Sequence, residues 1–132
     1  MTLRPLIYPL LPPPGCAWQT IGRAASLQVC HLGSNRLSGT LPRSFGALRA
    51  LQRLELFGNE FTGPIPVELG DAKSLQVVNL SANHLGGDVP VDALSQLLAL
   101  RKLYLNQNRY LNDPLTQAAA LLARLPTCVV SA

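Results

Sequence analysis

The chain has 132 residues, of which 48% are hydrophobic and 14% charged, and its formal net charge is +4 at pH 7. This length allows one domain at most, and the hydrophobic content is too high for a disordered chain. The basic residues run from Arg4 to Arg124 with acidic residues between them. The basic stripe of a nucleic-acid-binding protein is therefore missing, and no apolar run approaches the roughly 18 residues of a transmembrane helix.

The cysteines and histidines predict neither a disulfide framework nor a metal site. Cys16, Cys30 and Cys128 are an odd and sparse set, without the spacing of metal ligands. His31 and His84 stand alone in the sequence. We expect no metal and no cofactor.

Residues 1–15 form a proline-rich leader. The run Pro12-Pro13-Pro14 favours an extended polyproline conformation and excludes a helix. Prolines also interrupt the apolar stretch, and no small-x-small cleavage site follows, so the segment is a poor secretory signal. A truncated or wrongly assigned start explains it better. We expect a loosely ordered leader over the open end of the fold, and the sequence leaves the compartment unknown.

An internal repeat organises the remaining residues, 16–132, into one domain. Four asparagines mark it at steps of 24, 24 and 25 residues, a period typical of solenoids. The copies span 27–50, 51–74, 75–99 and 100–126. Residues 16–26 are interpreted as the second half of a decayed repeat or, alternatively, as an N-terminal cap that begins at Cys16 and Trp18.

Each copy begins with apolar residues in alternation, which predicts a short strand with one buried face. In the second copy these are Leu51, Leu54 and Leu56. Cys30 stands in the same column as Leu54, so we interpret it as a small buried hydrophobic residue and not as a reactive thiol.

The asparagine column follows the strand, where the chain turns. An asparagine tolerates turn geometry, and its amide satisfies backbone groups at a buried bend. Stacked once per copy, these side chains are predicted to form a structural ladder of Asn35, Asn59, Asn83 and Asn108. A glycine column (Gly39, Gly63, Gly87) then allows a positive-φ turn, and a proline column (Pro42, Pro66, Pro90) starts a helical turn.

The fourth copy departs from this pattern. Asp113-Pro114 predicts a helix start with Asp113 as the N-cap, and Pro126 ends the helix. We predict a capping helix over 114–125 and a last edge strand over 127–130, because terminal repeats close an exposed core.

Function is expected at the outward positions of the strands, which alternate with the buried leucines. Phe57 and Tyr104 are the best anchors, since aromatic residues dominate binding hot spots, and charged neighbours would set the orientation of a partner. The candidate partner-binding residues are His31, Arg53, Glu55, Phe57, Asn79, Lys102, Tyr104 and Asn106.

Two further features of these positions concern catalysis and glycosylation. His31 beside Glu55 would make an ion pair, but no nucleophile or pocket accompanies it, so we do not expect an enzyme. Asn79-Leu80-Ser81 is a glycosylation sequon, which we interpret as a by-product of the repeat because a glycan there would block the face.

Residues 27–99, with Ser38-Gly39-Thr40-Leu41-Pro42 and Thr62-Gly63-Pro64-Ile65-Pro66 as the most specific stretches, resemble the plant-type leucine-rich repeat. The resemblance implies an α/β solenoid: a parallel sheet on the concave face, short second strands, and helical turns on the convex side. It is familiar from receptor-kinase ectodomains, receptor-like proteins and polygalacturonase inhibitors. One departure is Arg23, which stands where the second cysteine of the family's N-terminal cap would fall.

We therefore predict a non-catalytic interaction module that binds a protein or peptide on its concave strand face, as a monomer, with no nucleic acid and no membrane insertion. The alternatives are an inhibitor that blocks a partner enzyme, and a receptor ectodomain fragment without signalling output, since neither a kinase motif nor an anchor is expected here. A gene-model fragment without an independent role is a third.

Overall fold

The computed structural model describes Ile21 and residues 24–132, which form a solenoid of stacked repeats. The leader at 1–15 and most of the segment at 16–26, with Cys16, Trp18 and Arg23, lie outside the described residues. The domain boundaries therefore remain predictions. Each repeat contributes one strand to each of two parallel sheets.

The first sheet has five strands in the order β1 (Val29–His31), β3 (Arg53–Glu55), β5 (Val77–Asn79), β7 (Lys102–Tyr104) and β9 (Val129–Ser131). Every neighbouring pair is parallel and joins equivalent positions, as in Cys30 with Leu54 and Leu54 with Val78. The predicted period therefore sets the strand register without a slip.

The second sheet has four strands in the order β2 (Ser38–Thr40), β4 (Glu60–Gly63), β6 (His84–Gly87) and β8 (Tyr110–Leu111). The proline column then starts short helical turns, as predicted: the 3-10 helices Arg43–Ala47 and Val67–Asp71, and helix α1 (Val91–Leu94). The longer helix α2 (Pro114–Arg124) completes the convex side. The predicted fold class is confirmed.

The core lies between the first sheet, the second strands and the helical turns. The leucine columns fill it, and Cys30, Leu54, Val78 and Leu103 are fully buried in one row. Phe45 and Phe61 are the largest of the fully buried side chains. Burial of such side chains is worth about 1.5–3 kcal/mol each, and stacking of neighbouring repeats is what makes that burial complete.

The asparagine side chains form a hydrogen-bonded ladder between repeats. Asn83 donates from Nδ2 to the carbonyls of Leu56 and Leu80, at 3.0 and 3.1 Å, and its Oδ1 accepts from Phe61 N at 3.1 Å. Asn59 and Asn108 repeat this arrangement and are buried with it. Asn35, at the N-terminal end of the ladder, is only half-buried.

The left-handed position of the turn is the residue before each ladder asparagine, which the sequence analysis did not anticipate. Ser34, Gly58, Ala82 and Gln107 have φ between 55° and 68°. Only one of the four is a glycine, although this conformation costs other residues about 1–2 kcal/mol. The glycine column is left-handed as well, with φ of 88°, 76° and 75° at Gly39, Gly63 and Gly87.

The fourth repeat keeps this second left-handed position but places Asp113 there. The pairing of Gly87 with Leu111 puts Leu111 where Leu85 pairs with Gly63, so the turn after Asn108 is one residue longer. Asp113, two residues after Leu111, has φ 38° and makes no side-chain capping bond. Asp113 therefore holds the predicted N-cap position before Pro114, without capping the helix through its side chain.

The two C-terminal elements are present with shifted bounds. The helix predicted over 114–125 ends at Arg124, and the strand predicted over 127–130 is Val129–Ser131. The shift has a local cause: Cys128 N donates to Leu125 O at 3.0 Å, which holds a turn through residue 128. Pairing starts only at Val129, whose N–H donates to Arg101 O at 2.8 Å.

We expect Asn83→Ala to lower the free energy of unfolding by about 1–3 kcal/mol, because the buried Phe61 N–H loses its bond to Asn83 Oδ1 and Leu56 C=O loses one of its two side-chain donors. Urea unfolding would measure this loss. Asn35→Ala is the matched control at the half-exposed end of the ladder and should cost clearly less. Equal losses for the two variants would contradict the role given to the buried ladder.

We expect Ala82→Gly to stabilise the chain by about 0.5–1 kcal/mol, because relief of the left-handed strain exceeds the extra flexibility of an unfolded glycine. Gly58→Ala is the reciprocal change in the same column. It should destabilise, since a Cβ at Gly58 would lie 2.9 Å from Ser34 Oγ. Thermal unfolding of both variants checks the pair, and destabilisation by Ala82→Gly or stabilisation by Gly58→Ala would refute the strain argument.

Candidate functional site

The concave face of the first sheet brings the predicted binding residues together in rows. One row holds Val29, Arg53, Val77, Lys102 and Val129, and the next holds His31, Glu55, Asn79, Tyr104 and Ser131. All of these side chains are half-buried or exposed, whereas the residues between them are buried on the first four strands and Val130 on β9 is half-buried. With strands about 4.8 Å apart, five strands make a face about 19 Å wide.

Val129 and Ser131 extend the face, and the sequence analysis missed them as site positions. Val129 follows Lys102 in the first row and Ser131 follows Tyr104 in the second. The sequence predicts the terminal strand at residues 127–130 and only as an edge strand. The apolar alternation of Cys128 and Val130, which continues the leucine columns, was the signal that would have placed both residues on the face.

Phe57 is held in place by a glycine on the neighbouring repeat. A Cβ atom at Gly33 would lie 2.4 Å from Phe57 Cζ, so the ring lies directly over the Gly33 backbone. The His31 ring is on the same side, with centroids 6.1 Å apart. Ser34 N also donates to Phe57 O at 2.8 Å. The aromatic ring is therefore positioned before any partner arrives.

The charged residues of the face are arranged unevenly. Arg53 Nη1 lies 3.9 Å from Glu55 Oε1, and the arginine side chain is the more exposed of the two. Lys102 is exposed on β7, two strands from Arg53 with Val77 between them. His31 is the register neighbour of Glu55, as predicted. The row that runs from Val29 to Val129, called the upper row below, thus presents two cations about 10 Å apart with an apolar residue between them. The row that runs from His31 to Ser131 is called the lower row.

The polar residues of the face are partly committed to local structure. Asn79 Oδ1 accepts from Ser81 N at 3.1 Å and from Ser81 Oγ at 2.6 Å. The two polar residues of the sequon are therefore bonded to each other. Tyr104 and Asn106 are half-buried beside them, and Asn106 O accepts from Ala82 N at 3.0 Å.

No catalytic constellation emerges on this face. Among Ile21 and residues 24–132, no group of three histidine, cysteine or acidic residues is placed to hold a metal ion. The two cysteines described, Cys30 and Cys128, are free and buried. Burial raises the pKa of the Cys30 thiol to about 12 and raises the pKa of Cys128 as well. Both thiols are therefore protonated at neutral pH, unlike a reactive cysteine.

A groove of about 320 Å³ lies away from the concave face, between the loops that follow β2 and β4. It contains none of the predicted site residues. An exposed ion pair crosses its rim, with Arg43 Nε 3.9 Å from Glu68 Oε1. The groove is lined by Thr40, Leu41, Arg43, Pro64, Ile65, Pro66, Val67 and Glu68. Leu41, Ile65 and Pro66 belong to the repeated columns, so the groove is largely a product of the scaffold.

Known proteins resemble the chain at two levels. The family model for the Leucine Rich Repeat matches residues 26–48 and 50–72. No curated protein sequence matches the chain. Solved structures do, and three of them are described here.

The first is the leucine-rich repeat ectodomain of the plant membrane receptor kinase GASSHO1/SCHENGEN3 from Arabidopsis thaliana, in complex with CASPARIAN STRIP INTEGRITY FACTOR 2. It is 34% identical, with a TM-score of 0.65 over 67% of this chain and 10% of that one. The BIR3–SERK2 complex from Arabidopsis thaliana is 37% identical, with a TM-score of 0.63 over 67% and 47%.

The third is a plant ice-binding protein, 30% identical, with a TM-score of 0.64 over 67% of this chain and 29% of that one. The chain therefore spans less than half of each of these three proteins. None of the helices in the described part of the chain is long and apolar enough to cross a membrane.

We expect Cys30 to be unreactive toward a thiol reagent at pH 8 until the chain unfolds, and Cys30→Ala to remove a pH-dependent part of the stability. Because the folded pKa lies above the ordinary value of 9.0, at about 12, this stability is fully present below pH 9. It is lost as the pH rises from about 9 toward 12. Native-state labelling and unfolding at pH 8 and pH 10.5 check both statements, and rapid native labelling of Cys30 would contradict them.

Proposed function

The chain is a leucine-rich repeat protein of the plant-type subclass, and we propose that it binds a protein or peptide on its concave strand face, without catalysis. The observation that carries this proposal is that the side chains fall into two groups, those that maintain the fold and those that face outward from the first sheet. The leucine, asparagine, glycine and proline columns each have a repeated structural task, whereas the outward residues of the first sheet differ from copy to copy and share no such task. A solenoid's concave surface is where such proteins bind.

Phe57 is the proposed anchor of this face. Gly33 leaves room for the ring, so the ring needs little ordering when a partner binds. Pre-ordered aromatic side chains make effective hot spots because less conformational entropy is lost on association. Tyr104, two strands away in the lower row, supplies a second half-buried aromatic surface.

The size of the face favours a peptide or a single protruding element of a protein. Its rows span about 19 Å across the strands, and the positions from 53 to 57 span about 13 Å along them. This area is well below the roughly 800 Å² per partner of a standard protein interface.

Two cations give the proposed partner a preferred charge. Arg53 and Lys102 flank Val77 in the upper row, and Glu55 is already next to Arg53. An acidic group lying over Val77 would reach both cations, so we propose a partner that carries an acidic residue close to an apolar one. Opposite charges of this kind chiefly increase the association rate and the specificity.

The comparisons support a receptor-like recognition role more than inhibition of an enzyme. Two of the similar structures are receptor or receptor-partner complexes, and one of these contains a bound factor. The ice-binding protein has the same fold with a different ligand. The fold is therefore compatible with unrelated ligands, and the proposal depends on the residues of the face.

The test uses a displayed library of random peptides selected on the native chain, followed by calorimetry of the selected peptides. We expect Phe57→Ala to weaken binding at least about tenfold, because hot-spot truncations cost more than 1 kcal/mol. Lys102→Ala should weaken it less and reduce its salt dependence. Val67→Ala, on the convex side, is the control and should bind normally. Peptides that keep their affinity for Phe57→Ala and lose it for Val67→Ala would overturn the proposal.

A further inference from the structure

The centre of the concave face holds a pair of side chains that the scaffold does not require. Asn79 lies on β5, the middle strand of the first sheet, with two strands on either side. Its partner Ser81 follows two residues later. The equivalent pairs in the other described repeats are His31 with Gly33, Glu55 with Phe57 and Tyr104 with Asn106. Because only one of the described repeats has the pair, the stacking of repeats does not depend on it.

The bonds from Ser81 fix the orientation of the Asn79 amide. Asn79 Oδ1 accepts from Ser81 N at 3.1 Å and from Ser81 Oγ at 2.6 Å. A main-chain N–H can only donate, so the atom that faces it must be the amide oxygen and not the amide nitrogen. Nδ2 lies on the other side of the planar amide, and the amide therefore presents its nitrogen away from Ser81.

This amide nitrogen is open to a ligand. In the part of the chain that the structure describes, no residue accepts a hydrogen bond from Asn79 Nδ2, and no buried side-chain nitrogen or oxygen lacks a partner. Since Nδ2 has no partner, it is not buried and it faces solvent. The half-buried Asn79 side chain thus holds a donor in a fixed position, and an ordered donor loses little side-chain entropy when it binds.

The neighbours of Asn79 favour an acceptor without charge. Glu55 is its register neighbour on one side and Tyr104 on the other, on strands about 4.8 Å away. The Glu55 carboxylate would repel a second carboxylate at Nδ2, and Arg53 and Lys102 in the upper row attract one more strongly. A carbonyl oxygen carries no net charge, so it can accept from Nδ2 beside Glu55 without this repulsion.

The two cations and Asn79 are spaced for one short stretch of extended peptide. Val77, which lies between the cations, and Asn79 are two residues apart on β5, or about 7 Å. An extended peptide advances about 3.4 Å per residue. A peptide whose acidic side chain lies over Val77 can therefore bring the main-chain carbonyl of the same or the next residue to Nδ2.

We propose that Asn79 donates from Nδ2 to a main-chain carbonyl of the bound peptide, and that Ser81 is the positioning residue that holds the amide for this bond. The inference rests on the concave-face binding proposed above and adds which part of the peptide is recognised. Phe57, Arg53 and Lys102 contact side chains of the peptide, whereas Asn79 contacts its main chain. The bond sets where the peptide lies along β5.

The test uses peptides selected on the native chain, with each main-chain amide in turn replaced by an ester, whose carbonyl is a weaker acceptor. We expect one ester to weaken binding to the native chain about three- to tenfold, the range of one hydrogen bond, and to have no further effect on Asn79→Ala. Esters at the other positions should affect the two proteins equally. Asn79→Ala should unfold at nearly the native urea concentration, because its side chain bonds only to Ser81 among the described residues.

A second set of variants tests the role of Ser81. Ser81→Ala removes the bond from Oγ and should weaken peptide binding about two- to fivefold, because the Asn79 side chain must then be ordered on association. Ser81→Thr keeps the hydroxyl and should bind as the native chain does. In the Asn79→Ala background, Ser81→Ala should have no effect on binding, which a merely structural role of Ser81 would not predict.

The results distinguish this inference from the concave-face proposal. Peptides that lose affinity for Phe57→Ala but bind Asn79→Ala as they bind the native chain would overturn the inference and leave the concave-face binding intact. Coupling of Asn79 to a peptide side chain, and to none of the esters, would also overturn it. Peptides that keep their affinity for both Phe57→Ala and Asn79→Ala would overturn both proposals.

Discussion

The buried turn after each strand of the first sheet is the constraint on which the fold depends. There the chain reverses direction inside the core, and its backbone groups would lack partners without a side chain to bond them. Asn59 Oδ1 accepts from the N–H of Leu37, while its Nδ2 donates to the carbonyls of Leu32 and Leu56. One asparagine thus satisfies backbone groups of its own repeat and of the preceding one. The bonds require repeats to be neighbours in fixed register.

This register also brings the outward side chains of successive repeats together on the concave face. Because the ladder holds equivalent positions side by side, Arg53 and Lys102 flank Val77, and Phe57 is placed over Gly33. The proposed interaction residues come from four copies of a unit, and no single copy carries the set. Loss of a ladder asparagine is therefore expected to disturb the face at a distance, through the strand spacing.

The first and last described repeats differ from the inner repeats. Asn35 is half-buried and its neighbour Arg36 has φ 55°, so the ladder is less enclosed at its N-terminal end. At the other end, α2 covers the core, and Leu115 on it is exposed. Helix α2 covers the core from the convex side. It does not cover the first sheet, which lies on the opposite side of the core.

The sequence by itself determined the period, the strand and asparagine columns, the parallel sheets and the outward residues, because each column repeats a local requirement of burial or turn geometry. It did not determine the one-residue lengthening after Asn108 or the left-handed Asp113, since both depend on how the fourth turn pairs with β6. Only the tertiary structure showed that Gly33 makes room for Phe57, that Val129 and Ser131 extend the face, and that the contact of Arg124 with Asp92 turns Leu115 outward. These features arise from contacts between residues about 24 or more positions apart. A periodic sequence pattern shows which residues are neighbours in adjacent repeats, but it does not show how their side chains are oriented.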